Sequence, residues 1–232
     1  MSCARSSTWW RATDTSAPDR SPHSRQLRSL GVLGGTFNPP HLGHLAIARS
    51  ALAELALERV MLVPARRPPH KTVEHDPGCE HRLAMCRLLV EGSPGLCVCA
   101  LEIERDGPSY TVDSLTSIQV RHPHAELTLI VGADIAGTLP AWREPARLLE
   151  LASLAVASRP GSDRRGVLDS LGALREQARV RFLDAPAIDV SSSLARARAG
   201  AGEPIGGLVG ESVAGYIAGH GLYGVGARAV SR

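Results

Sequence analysis

The strongest constraint on the fold is an alternation that runs through most of the chain. "LGVLGG" is a short apolar run entering a glycine turn, and "HLAIARSALAELAL" sets Leu45, Ala48, Leu52 and Leu55 on one helical stripe. "RVMLVPA", "LCVCALEI", "ELTLIVGAD", "LAVASRPG" and "VRFLDA" read as further strands. Between them "HRLAMCRLLVEG", "TVDSLTSIQVRH", "EPARLLELA" and residues 164–178 read as helices. Strands alternating with helices predict an α/β fold, with a doubly wound, mostly parallel sheet of Rossmann-like type covered on both faces. Ligands of such sheets lie beyond the carboxyl ends of the strands.

A chain of 232 residues is long enough for one domain with appendages. Residues 30–224 are the expected domain, free of internal repeats and of Pro-rich or Ser-rich linkers. Residues 1–29 are rich in Ser and Arg and poor in aliphatic side chains, which predicts a disordered extension; 225–232 are expected to be a flexible C-terminus. The leader also has the composition of a transit peptide, without the apolar core of a secretory signal. Five arginines (Arg5, Arg11, Arg20, Arg25, Arg28) face only Asp14 and Asp19 in that region, so the whole formal charge of +3 sits there. The charge-balanced body argues against nucleic acid as a partner held by charge. No window of about 18 apolar residues occurs, which argues against a membrane partner. The expectation is a soluble, cytoplasmic protein. The cysteines, Cys3, Cys79, Cys86, Cys97 and Cys99, are odd in number and lack zinc-type spacing. Cys79, His81 and Cys86 could gather round a metal, but Cys86 fits the apolar side of a helix starting near Glu80. Cys97 and Cys99 share one face of a strand. Reduced, mostly buried thiols are expected, and no residue is assigned as a metal ligand.

"GGTFNPPHLGHL", residues 34–45, follows the first strand and opens the first helix. It therefore belongs at the carboxyl edge of the sheet, where glycines let the backbone approach a ligand. His41 and His44 are three apart at the helix start, on one face beside unpaired N–H groups. A helix N-terminus attracts anions, and two imidazoles beside it can donate to phosphate oxygens. The same letters also describe an ordinary glycine-proline turn with two exposed histidines. "DVSSSLARAR", residues 189–198, supplies a second helix start with Ser191, Ser192, Ser193 and Arg196. Those serines can be simple N-caps; with Arg196 they can also make a second nest of donors suited to polyphosphate oxygens.

With "VSSSLAR" downstream, "GGTFNPPHLGH" resembles the H-x-G-H motif of the nucleotidyltransferase superfamily. "PPHK", "SYTVDSL", "GAD", "LPAWREPARLLELASLAVASRPG" and "VAGYIAGHGLY" resemble the bacterial nicotinate-nucleotide adenylyltransferase family, from about Gly31 to Tyr223. The resemblance implies a Rossmann-like nucleotidyltransferase fold and adenylyl transfer from ATP to nicotinate mononucleotide. The products would be nicotinate adenine dinucleotide, a precursor of NAD, and pyrophosphate. It implies Mg²⁺ and no covalent intermediate. It assigns His41, His44 and Arg196 to catalysis, with His44 the main stabiliser of the transition state. Gly34, Gly35, Thr36, Asp134, Ser191 and Ser192 would join them in binding ATP. Lys71, the one lysine of the chain, would lie near the mononucleotide phosphate; it can also be a solvated loop residue. Trp142 would stack on the pyridine ring, with Tyr110 and Thr111 bordering the pocket, although a tryptophan can also simply fill a core. Arg159 serves either structure or substrate, and Tyr216 and Tyr223 are expected to pack.

The chain departs from the family pattern at Asn38, where relatives commonly have Asp, and at Ser193 and Ala195, in place of Thr and Ile. Phosphopantetheine adenylyltransferase shares the first motif but lacks the tryptophan segment followed by "RPG". An aminoacyl-tRNA synthetase would need a lysine-rich second signature. A silent nucleotide-binding regulator would keep the pocket while losing a phosphate ligand, whereas both histidines and Arg196 are present. The partners implied are small molecules, and the sequence leaves open whether copies associate as a homo-oligomer.

Overall fold

The alternating apolar runs become parallel strands in the computed structural model, which describes residues 27–69, 75–158, 163–186 and 188–224. Among these residues there are six: β1 (Ser29–Gly35), β2 (Arg59–Pro64), β3 (Leu96–Val98), β4 (Glu126–Gly132), β5 (Ala152–Ser158) and β6 (Val180–Asp184). Their order is β3-β2-β1-β4-β5-β6, and every neighbouring pair is parallel. The order reverses between β1 and β4, so a crevice opens at their carboxyl ends. The helices are α1 (Leu42–Glu54), α2 (Cys79–Val90), α3 (Leu101–Glu104), α4 (Thr111–Arg121), α5 (Ala133–Ala136) and α6 (Pro145–Leu151), then α7 (Arg164–Ser170), α8 (Ser192–Gly200), α9 (Gly206–Val209) and α10 (Glu211–Gly219).

Period-two alternation assigns each strand residue to one of two cores. Leu33, Val60, Leu62 and Ile130 face a layer built from Leu45, Ala48, Met85, Cys86, Ala195, Val213 and Ile217. Leu30, Val32, Met61, Val63 and Leu129 face the opposite layer, with Leu115, Ile118, Leu139, Leu148 and Leu171. Burial on both sides is why these strands read as continuous apolar runs. Each such leucine contributes about 1.5–3 kcal/mol on leaving water. The stripe on α1 is as expected: Leu45 and Ala48 are buried, and Leu52 and Leu55 pack against the same core.

Three expected boundaries change. The strand expected over "LCVCALEI" stops at Val98, and Leu101–Glu104 turn into α3. Glu102 explains the break, because its buried carboxylate takes a hydrogen bond from Ser114 Oγ at 2.5 Å, which continued strand alternation does not provide. In "ELTLIVGAD" the last two residues open α5. The helix expected over 164–178 divides at Gly172, φ 55, into α7 and a 3₁₀ turn, Gly172–Glu176. Cys86 and Cys99 are buried, Cys79 and Cys97 are half-buried, and all four are free thiols. Among the described residues no three His, Cys, Asp or Glu side chains gather to hold a metal. No helix there is long and apolar enough to cross a membrane. Most of the expected N-terminal extension and all of 225–232 lie outside the described residues.

Candidate active site

At the carboxyl end of β1, beside β4, Gly34 is exposed, and a Cβ there would meet nothing within 4 Å. This leaves an open floor at the crevice. Phe37 follows with φ 52, a left-handed backbone that a bulky residue rarely adopts. Its buried ring fills the space under Gly35, where a Cβ would come 3.0 Å from Cζ. The same ring meets His44 edge-on, with centroids 4.8 Å apart. On its other side His44 stacks with His41 at 3.7 Å. Two aromatic neighbours therefore fix the orientation of the His44 imidazole.

A hydrogen bond fixes its tautomer as well. His41 is the N-cap of α1 and His44 its third residue, the spacing at which a Glu or Gln usually reaches back to the cap. Here the backbone N–H of His41 donates to Nδ1 of His44 at 3.2 Å. An accepting Nδ1 carries no hydrogen, so the neutral ring holds its proton on Nε2 and is a donor there. His41 is half-buried, and burial pushes its pKa down to about 4, leaving it neutral at pH 7. Its Nδ1 is buried without a hydrogen-bond partner among the described residues. Gly43 permits this packing, because a Cβ there would lie 3.0 Å from that nitrogen and 3.1 Å from Val190.

The second segment closes onto the first. Ser192 Oγ donates to the carbonyl of Pro39 at 2.8 Å, and Arg196 Nη1 donates to the carbonyl of Asn38 at 2.8 Å, across 153 and 158 positions of sequence. Arg196 Nη2 also donates to Ser193 Oγ at 3.3 Å. Ser191 is the N-cap of α8: its Oγ accepts the N–H of Leu194 at 3.1 Å, so the capping alternative holds for this residue. An accepting hydroxyl can still donate its own hydrogen. Two helix starts, α1 and α8, thus converge on one loop, with a guanidinium between them. Asp134 is exposed in the first turn of α5, directly after β4, on the other bank of the crevice.

Arg82 was not singled out in the sequence. Its side chain is fully buried, and it donates to the carbonyls of Thr36 at 2.7 Å, Ala65 at 2.6 Å and Arg66 at 3.3 Å. Asp76 is its ion-pair partner at 3.0 Å. It ties the carboxyl end of β1 to that of β2 and places a fixed positive charge beneath them. A signal existed: residue 82 falls on the stripe of Met85, Cys86 and Leu89, and a lone charge on an apolar stripe needs partners.

Tyr110 and Thr111 stand on one segment and Trp142 on another. Tyr110 caps α4 and Thr111 opens it, while Trp142 ends the 3₁₀ turn Leu139–Ala141. The guanidinium of Arg143 lies 4.7 Å from the centre of the Tyr110 ring and 3.9 Å from the Asp113 carboxylate, joining the two segments. Trp142 packs partly against the core and donates Nε1–H to Thr138 Oγ1 at 3.0 Å. Beneath Tyr110, Ser109 Oγ accepts the backbone N–H of Arg66 at 3.0 Å and of Arg67 at 3.3 Å. Burial pushes the Glu102 carboxyl up, against hydrogen bonds from Ser114 and Ser109. A cavity of about 350 Å³ is lined by Arg66, Arg67, Asp106 and Gly107. Lys71 and Arg159 lie outside the described residues.

Comparison with known proteins gives this geometry its relatives. A family model described as cytidylyltransferase-like matches residues 32–198, a span that holds both histidines and Arg196. A relative from Salinibacter ruber is 38% identical over 84% of this chain and 97% of its own length. One from Thermomicrobium roseum is 42% identical over 85% and 92%. Both carry the name "Probable nicotinate-nucleotide adenylyltransferase". The chain belongs to the nicotinate-nucleotide adenylyltransferase family. Its fold is also that of Plasmodium falciparum nicotinic acid mononucleotide adenylyltransferase, with a TM-score of 0.70 over 87% of this chain and 100% of that one, at 16% identity. That protein has been solved in complex with APC and in complex with NaAD. Membership of this family excludes the synthetase reading, and the Rossmann-like, doubly wound sheet is as the sequence predicted.

Proposed function

We propose that this protein transfers the adenylyl group of ATP to nicotinate mononucleotide, releasing pyrophosphate and forming nicotinate adenine dinucleotide in NAD biosynthesis. The observation that carries the reading is the bond from Arg196 to Asn38, which brings the second donor segment onto the loop of His41 and His44 at the switch point of the sheet. An oxygen of the mononucleotide phosphate attacks the α-phosphorus of ATP; that P–O bond forms as the bond to the β-phosphate oxygen breaks, and the electron pair leaves with pyrophosphate. The task is to align two anions and stabilise charge on the transferring phosphoryl group. His44, donating through Nε2, is suited to an oxygen that gains charge in the transition state. Gly34, Gly35 and Thr36 form the floor, and Arg196 with the α8 start takes the departing phosphates. Ser191 can donate through its hydroxyl, and Ser192 through its backbone N–H. His41 supports the His44 ring, Asp134 borders the nucleotide, and Lys71, on its motif alone, is the cation proposed for the mononucleotide phosphate.

The donor set also bears on Mg²⁺. With no three-residue acidic cluster among the described residues, the protein fits an ion held chiefly by phosphate oxygens and water, as Mg²⁺ usually is. Bound there, it would neutralise charge on the triphosphate. Trp142 offers an indole face to the pyridine ring, with Tyr110 and Thr111 at the rim.

The test is to incubate the protein with ATP and Mg²⁺, offering nicotinate mononucleotide, its amide or phosphopantetheine separately, and to quantify pyrophosphate. Turnover with nicotinate mononucleotide is expected; turnover with phosphopantetheine alone would replace the reading. His44→Ala should lower kcat by about 10²-fold, the loss typical of removing a transition-state donor. A variant with normal kcat would remove His44 from the mechanism.

A further inference from the structure

Tyr223 is expected from the sequence to pack, and its ring does pack against the core. Its hydroxyl does something more specific: it donates to Oδ1 of Asn38 at 2.7 Å, across 185 positions of sequence. Asn38 is buried, and its carbonyl is the one that Arg196 holds. One residue of the loop between β1 and α1 is therefore held twice, at its backbone from α8 and at its side chain from the end of the described chain. In a part-buried setting such a bond is costly to break. Burial also pushes the Tyr223 hydroxyl up, so it stays neutral and able to donate.

The backbone around Tyr223 is arranged for this contact. Its φ is 60, in the region where a side chain other than glycine is strained. The chain can turn there because Gly200, the last residue of α8, brings no side chain: a Cβ on Gly200 would lie 3.2 Å from the Tyr223 carbonyl oxygen. α8, the loop of His41 and His44, and Tyr223 thus meet at one point. Tyr216, one helix turn before the end of α10, provides a contrast, because its hydroxyl pairs with His81 Nδ1 at 2.9 Å and does not reach the loop.

We infer that Tyr223 is a positioning residue for adenylyl transfer, holding the loop that aims His44 and Arg196 at the triphosphate through its bond to Asn38; this rests on the function proposed above. Tyr223→Phe removes the hydroxyl and keeps the ring. It should lower kcat about tenfold and raise the KM for ATP about threefold, the scale of one hydrogen bond, with the KM for the mononucleotide unchanged. A smaller folded fraction would leave every KM unchanged, so the ATP-specific rise separates positioning from stability. Asn38→Ala breaks the same bond from the other side, so the double variant should lose no more than the worse single one. It also carries the test if Tyr223→Phe does not fold. Tyr216→Phe should keep both KM values and kcat. Normal kinetics in Tyr223→Phe, additive losses in the double variant, or an equal loss in Tyr216→Phe would each overturn the inference. If His44→Ala fails while Tyr223→Phe is normal, only this inference falls. A wild-type protein that makes no pyrophosphate from nicotinate mononucleotide overturns the proposed function itself.

Discussion

On the side of the site proposed to take phosphate, the loop after β1 is held by hydrogen bonds from Ser192, Arg196 and Tyr223, all from segments more than 150 positions away. On the side proposed to take the base, Tyr110 and Trp142 are joined through Arg143, a half-exposed side chain whose ion-pair partners, Asp113 and Glu144, stand 3.9 and 3.4 Å away. Solvent screens contacts of the second kind, and each contributes little. The difference matches the two proposed tasks. Charge must be met at fixed points in a transition state, whereas an aromatic ring needs only a face to lie on. The phosphate side should therefore respond to single-atom changes in kcat, and the base side to whole-side-chain changes in KM.

The largest expected effect is the loss of about 10²-fold in kcat for His44→Ala. Next comes Arg196→Lys: a single ammonium cannot bond Asn38 and face a phosphate as a planar fork does, so kcat should fall about tenfold. Steady-state kinetics with varied ATP checks this, and unchanged kcat would mean that charge alone suffices there. On the base side, Trp142→Ala should raise the KM for the mononucleotide about tenfold, within the range of one stacking contact, and leave the KM for ATP alone. A fall in kcat without a change in that KM would put Trp142 on the wrong side of the comparison.

The smallest effect concerns pH and stability. The His41 pKa is pushed from 6.5 to about 4 by burial, so between those values the unfolded chain binds a proton that the folded chain refuses. Stability from this group is complete above pH 6.5 and is lost as pH falls toward 4. Thermal unfolding at pH 7 and pH 4.5 should show the drop, and His41→Asn should flatten it. An equal slope in the variant would assign the acid sensitivity to other groups.

Much of the site was legible because its parts lie in short segments whose residue types have direct physical meanings. The histidines at N-cap spacing and the serines at a helix start could be placed at the sheet edge from alternation alone. Phe37 and Arg82 were not legible as parts of the site. An aromatic ring between two turn residues gives no hint that it supports a histidine, and a charge on a helix does not name the carbonyls it will meet. Tyr223 was legible only as a residue expected to pack. The early end of β3 was hidden because Leu101 and Ile103 continue an apolar pattern, while the partner that draws Glu102 away, Ser114, sits on another element.

The sequence by itself determined the sheet, its two apolar faces and the positions of the donor loops, because side-chain periodicity and turn chemistry are local. Only the tertiary structure decided which loops share a carbonyl and which tautomer His44 holds. It also decided where a buried charge finds its partners. Those outcomes depend on hydrogen bonds between segments far apart in the chain, whose geometry exists only once the strands have been ordered side by side.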